Sequence, residues 1–239
     1  MDTKDTIKQI IKAVLPLLWY LAVGGIISML RLPAAVDASA RVALIGIICI
    51  PLLLWWYRQD RKNEIGDEET GDGPLSSFPE TFDCQQTILE RRQRTVPCLL
   101  GRVLRAAACF LAGAALSCLS AYIMEKTGMY ERFSNITQES YQASAPVWLI
   151  LGPGLLAPLC EELAYRGLFF RRIMKLIPFY AAAILTSLLF AAGHGNIIQF
   201  LYALPMSLLL CAVGRDNLIN PLMMHLGANL YAVVAALLL

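Results

Sequence analysis

From Ile10 to Leu30 the chain runs for 21 residues with one charge, Lys12, and a proline at position 16. A run of about 20 apolar residues is long enough to cross the hydrocarbon core of a bilayer as a helix. Similar runs recur over Val42–Tyr57, Leu99–Met124, Pro146 to at least Leu163, Phe179–His194, Ile197–Val213 and Leu218–Leu239. In hydrocarbon every backbone polar group must be satisfied internally, so segments of this kind become helices packed on helices. The expected fold is therefore all-α, a polytopic transmembrane helix bundle of about seven spans. Composition agrees: 57% of the residues are hydrophobic and 16% charged, against roughly a quarter charged in soluble domains.

Basic residues set the expected orientation. Arg58, Arg61, Lys62, Arg91, Arg92, Arg94, Arg102 and Arg105 flank or lie in one polar stretch, and Arg166–Lys175 and Arg215 fall on the same side in a seven-span path. The expectation is an integral protein of a bacterial inner membrane, with its N-terminus cytoplasmic and its C-terminus outside. Lys4, Lys8 and Lys12 precede a first run that lacks a small-residue cleavage pattern, so it reads as a retained helix. Three regions are expected: a two-helix hairpin over 1–57, a cytoplasmic loop over 58–98, and a membrane core over 99–239 with its polar motifs in 146–239. The acidic, Gly- and Pro-containing first part of that loop reads as flexible, and Gln85–Arg94 as a short interfacial helix. Asn135-Ile136-Thr137 matches a glycosylation triplet by pattern. The seven cysteines lack CxxC spacing, and those in the spans read as buried neutral thiols. No basic patch suggests nucleic acid.

The stretch Ala157-Pro-Leu-Cys-Glu-Glu-Leu-Ala-Tyr-Arg-Gly puts three charges in an apolar run. Ionisable residues inside a membrane are functional candidates by default. Glu162 and Arg166 are four apart with the acid first, the favourable order for a pair on one helix face. Glu161 then points about 100° away from Glu162. The chain has two histidines, His194 and His225, both expected in apolar helices. His225 and Asn229 share i,i+4 spacing, as do Phe190 and His194. Glu161 lies 16 residues before Ile177 and His194 lies 17 after it, so an antiparallel hairpin would set them level. His225 is ten residues past Arg215, about 15 Å of helix and a comparable depth.

A carboxylate in a dry pocket can act as a general base, and imidazole and carboxamide groups can donate hydrogen bonds to an oxyanion. The same groups read as a metal site would use Glu161, His194 and His225, although no HExxH helix is present. An interfacial ion pair, a helix-gluing asparagine and packed histidines are the plain structural readings of these residues. Ser187 lies two turns before His194, but no GxSxG-like turn presents it.

Glu161-Glu162-Leu-Ala-Tyr-Arg166 resembles the EExxxR motif of the CAAX protease and bacteriocin-processing family (CPBP, or Abi). Phe190-Ala-Ala-Gly-His194 resembles its FxxxH motif, and His225-Leu-Gly-Ala-Asn229 its HxxxN motif, in family order. The resemblance implies an intramembrane endopeptidase acting on a membrane-associated protein or lipidated peptide. It further implies that Glu161 activates water with help from His194, and that His225 and Asn229 form the oxyanion hole. Glu162 and Arg166 would be a structural pair beside Phe190. No cofactor is implied in this glutamate reading; a zinc-dependent reading would recruit Glu161, His194 and His225. A catalytically silent scaffold or immunity protein, or an ion-coupled transporter, would also place acids and histidines in the membrane, though no internal repeat or broken helix is evident. The resemblance spans roughly Pro146 to the C-terminus, leaving the first 145 residues only a topological part.

Overall fold

The structure is a computed structural model describing residues 3–33, 36–69, 84–133, 139–141, 143–215 and 217–238; for 65–69 and 84–98 it describes the backbone alone. The glycosylation triplet lies outside the described residues, and so do the side chains of Cys84 and Cys98. All regular structure among the described residues is helical. The main helices are α1 (Thr3–Met29), α2 (Ala38–Glu69), α3 (Cys84–Lys126), α4 (Pro146–Ile173), α5 (Phe179–Ala192), α6 (Ile197–Val213) and α7 (Ile219–Leu238).

Of the seven expected spans, all seven appear as apolar helices, but they divide by length. Five helices, α1, α2, α3, α4 and α7, are long and apolar enough to cross a membrane. The two others, α5 with 14 residues and α6 with 17, are apolar but shorter. At 1.5 Å per residue they reach about 21 and 26 Å, less than a roughly 30 Å hydrocarbon core. They form a hairpin packed on the C-terminal part of α4. Its tip is a turn through Gly193–Asn196 in which Gly195 takes φ 72°, a left-handed conformation that favours glycine. Asn196 then caps α6 by accepting from the Gln199 N–H at 2.7 Å, and Asn217 does the same for Asn220 before α7 at 2.9 Å. These caps explain the two boundaries that periodicity leaves least defined.

The polar stretch differs from the expectation as well. Helix α2 continues through Arg58 to Glu69, and Gln85–Arg94 is not a separate interfacial helix but the first part of α3. Near the end of α2, Asp60 pairs with Arg172 at 2.6 Å and with Lys12 at 3.4 Å, while Glu64 pairs with Arg171 at 2.8 Å and Lys175 at 3.4 Å. The basic ends of α1 and α4 are thus tied to α2 at one end of the bundle. At the other end a single carboxylate joins two helix starts. Asp37 Oδ1 accepts from Ala40 N–H of α2 at 2.8 Å, and Oδ2 accepts from Ala145 N–H just before α4 at 2.9 Å. Burial alone would raise the Asp37 carboxyl, but hydrogen bonds from Ala40, Ala145, Ser144 and Ser39 outweigh it and hold the group below its ordinary value.

The core is built around α4. Leu163, Ala164, Tyr165, Leu168, Phe169 and Phe170 are buried against Ala13 and Leu17 of α1, Cys49 and Leu53 of α2, and Ala182, Phe190 and Ala191 of α5. Helix α7 packs most extensively on α3. A Cβ at Gly227 would run into the Phe110 carbonyl, and one at Gly113 into that of Met224, so two glycines permit backbone-to-backbone approach. Among the free cysteines, Cys49, Cys109, Cys160 and Cys211 are buried and Cys118 is exposed.

Candidate active site

Helix α4 is not the uninterrupted helix that its apolar pattern suggests. It is π-helical over Ile150–Leu156 and again over Glu162–Phe170, with an α-helical segment, Ala157–Glu161, between them. Pro153 and Pro158 each remove a backbone donor, and wide i→i−5 turns of this kind recur at functional sites. The three charges sit at the junction where the second wide segment begins.

The two adjacent glutamates are sorted by burial. The Glu162 side chain is fully buried while that of Glu161 is 15% exposed. Glu162 Oε1 accepts from Arg166 NH1 at 3.0 Å, as the spacing predicts. Arg166 NH2 donates to the Ser207 hydroxyl of α6 at 2.6 Å, and its guanidinium lies 4.4 Å from the Phe190 ring centroid. Glu162 does more than balance Arg166. Its Oε1 also stands 2.8 Å from His225 Nδ1 of α7. A carboxylate paired with arginine is an acceptor, so His225 Nδ1 carries the proton. The opposite ring nitrogen, Nε2, then faces Glu161 Oε2 at 3.6 Å. The second oxygen of Glu162 and Nε of Arg166 have no hydrogen-bond partner among the described residues.

Glu161 has a partner that its own neighbourhood in the sequence does not suggest. Tyr20 of α1 donates its hydroxyl to Glu161 Oε1 at 3.0 Å. The first helix therefore supplies a side chain to the site, correcting the purely topological part expected of the first 145 residues. A tyrosine in an apolar run is unremarkable in sequence; only the packing of α1 on α4 distinguishes it. On the segment before α4, burial and then the Glu161 charge push the Tyr141 phenol up to about 12.

His194 is not within a helix, as its apolar surroundings suggest, but in the turn after α5, one residue past Gly193. Its Nδ1 is 2.9 Å from the Phe190 carbonyl. A carbonyl only accepts, so Nδ1 carries the hydrogen and Nε2 is left free. His194 makes no direct bond to Glu161. The two imidazoles are joined through Phe190, whose ring meets His194 edge-on at 4.9 Å and His225 at 5.7 Å. Phe190 also packs edge-on against Tyr165 at 5.2 Å, which makes it the hub of the site.

Asn229, one turn beyond His225, donates Nδ2 to the Pro153 carbonyl of α4 at 2.8 Å. One amide hydrogen is used there and the second is free for another acceptor. Among the described residues no three His, Cys, Asp or Glu side chains are grouped closely enough to hold a metal ion. Ser187 lies 3.9 Å from the Cys211 sulfur and has no histidine beside it.

Residues 143–231 match the family described as type II CAAX prenyl endopeptidase Rce1-like. All three motifs fall inside that segment, and the resemblance read from them is thereby shown; α1, α2 and α3 lie outside it. No curated protein matches the chain, and no solved structure matches it.

Proposed function

We propose that this integral membrane protein, whose residues 143–231 match the type II CAAX prenyl endopeptidase Rce1-like family, hydrolyses a peptide bond of a membrane-associated substrate with water activated by Glu161. The observation that carries the reading is the line Glu162–His225–Glu161. It has a buried carboxylate on one imidazole nitrogen at 2.8 Å and the partly exposed carboxylate facing the other at 3.6 Å.

Each residue then has a part. Glu161 takes a proton from water as the water oxygen bonds to the scissile carbonyl carbon. Tyr20 occupies one oxygen of Glu161 and leaves the other toward His225. His194, held at Nδ1 by Phe190, turns Nε2 to the water. His225, in its doubly protonated form between the two carboxylates, keeps Nδ1–H on Glu162 and presents Nε2–H to the developing oxyanion, joined by the free N–H of Asn229. As the tetrahedral species collapses, the carbon–nitrogen bond breaks and Glu161 passes its proton to the leaving amine. Arg166 keeps Glu162 ionised and buried, so it acts through His225 and not on the substrate. No metal takes part in these steps. A lipidated segment or C-terminal tag is the substrate class that the family description favours.

Native membranes carrying wild-type protein, compared with membranes carrying Glu161→Gln at equal abundance, test the reading. Mass spectrometry of membrane-protein termini is expected to find a small set of C-terminal fragments lost in the variant. An unchanged set of termini would support a silent scaffold. Loss of cleavage on chelation, with stoichiometric zinc in the purified protein, would replace glutamate-activated water with metal-bound water.

A further inference from the structure

The bond that holds Asn229 has a cause three residues before Glu161. In an ordinary helix the Pro153 carbonyl would accept from an N–H four or five residues on. The residue four on is Ala157, and its N–H goes to the Gly152 carbonyl in the π-helical turn. The residue five on is Pro158, which has no N–H. The helix therefore has no donor left for Pro153 O, and a carbonyl in hydrocarbon needs one. Asn229 Nδ2 supplies it at 2.8 Å. Because that carbonyl can only accept, it also decides which end of the carboxamide faces it: nitrogen inward, with the second N–H and the side-chain oxygen turned elsewhere.

We propose that Pro158 is a positioning residue for Asn229: by withholding an N–H, it leaves the Pro153 carbonyl open as the anchor that orients the Asn229 carboxamide. Pro158, which as a proline within a helix is unfavourable, is on this view retained for what it removes. Its role in cleavage rests on the reading of Asn229 as an oxyanion donor; the anchoring itself does not.

The test compares two replacements with the same side chain, one with the N–H and one without it. Pro158→Ala restores the donor, whereas lactic acid, the hydroxy-acid counterpart of alanine, gives the same side chain on an ester without it. Asn229→Ala is introduced into the wild-type, alanine and lactic-acid chains, and thermal unfolding of the full-length protein in detergent is followed. In the wild-type and lactic-acid chains Asn229→Ala is expected to lower the midpoint by about 2–4 °C. In the alanine chain, where the new N–H competes for the Pro153 carbonyl, the shift is expected to vanish. An equal shift in all three chains, or a lactic-acid chain behaving like the alanine chain, overturns the proposal, because the N–H would then not be the cause.

A fluorogenic farnesylated peptide ending in a CAAX box supplies the second readout. Pro158→Ala is expected to lower kcat about tenfold or more at unchanged KM, with the lactic-acid chain restored and with little further loss on adding Asn229→Ala. Wild-type protein that leaves the peptide intact while the midpoints behave as expected would count against the protease reading and not against the anchoring. Full kcat in Pro158→Ala beside an inactive Asn229→Ala would remove the positioning role.

Discussion

At the scale of single residues, the site depends on dividing labour between two glutamates that are neighbours in the chain. Glu162 is fully buried with Arg166 and His225 on one oxygen, so its charge is committed to the structure. Glu161 keeps partial exposure and is touched from α1 by Tyr20. A hydrogen bond to a charged group contributes about 1.5–3 kcal/mol. If that bond aims the Glu161 carboxylate in the reaction, Tyr20→Phe should lower kcat about tenfold and leave KM alone. Peptide-cleavage kinetics on full-length protein would check this, and an unchanged kcat would reduce Tyr20 to a packing residue. The substitution removes one oxygen and keeps the ring that packs edge-on to Tyr165 at 6.4 Å.

At the scale of elements, the decisive feature is how closely α7 lies on α3. His225 and Asn229 can face α4 because the opposite side of α7 presents Gly227 to the Phe110 carbonyl. Any side chain there would push the helices apart. Gly227→Val is accordingly expected to lose both cleavage and the cooperative unfolding transition. Gly101→Ala, at a position where a Cβ meets nothing within 4 Å, is expected to behave as wild type in the same measurements. Normal activity in Gly227→Val would show that the crossing does not hold His225 in place. The short α5–α6 hairpin matters for a related reason. Its polar turn carries His194, and irregular backbone at membrane depth is tolerated where protein surrounds it or it lines a cavity.

At the scale of the whole molecule, charges at the two ends of the bundle fasten α1, α2 and α4 together. One end uses Asp60 and Glu64 against Lys12, Arg171, Arg172 and Lys175. The other uses Asp37 to cap α2 and the start of α4 together. The Asp37 carboxyl is held below its ordinary value, so its ionised form is the one the fold favours. Its contribution to stability is then complete above the ordinary carboxylate range, near pH 4, and fades as pH falls through the lower folded value. Asp37→Asn should lower the unfolding midpoint at pH 7, and the difference from wild type should close as pH falls through the lowered folded-state value. A difference independent of pH would assign the effect to shape alone. Asparagine keeps one acceptor oxygen for a helix start but turns an NH2 toward the second backbone N–H, so the variant removes the charge together with one of the two bonds.

Much of this was written into the sequence locally. Hydrophobic run length determined that the chain is a helical membrane protein, because hydrocarbon permits little else. The i,i+4 spacings determined the Glu162–Arg166 pair and put His225 and Asn229 on one face of α7, because helix geometry relates residues a turn apart. What the tertiary structure alone decided are the relations between residues far apart in the chain. It brought Tyr20 to Glu161 across 141 positions, Glu162 to His225 across 63, and Asn229 to Pro153 across 76. It also moved His194 from an expected helix into a turn by ending α5 at Ala192, and paired α5 with α6 in a hairpin whose turn lies at the site. No periodicity encodes such contacts. They follow from which carbonyls the prolines leave open, how near the glycines let helices come, and which buried charges must find each other once water is gone.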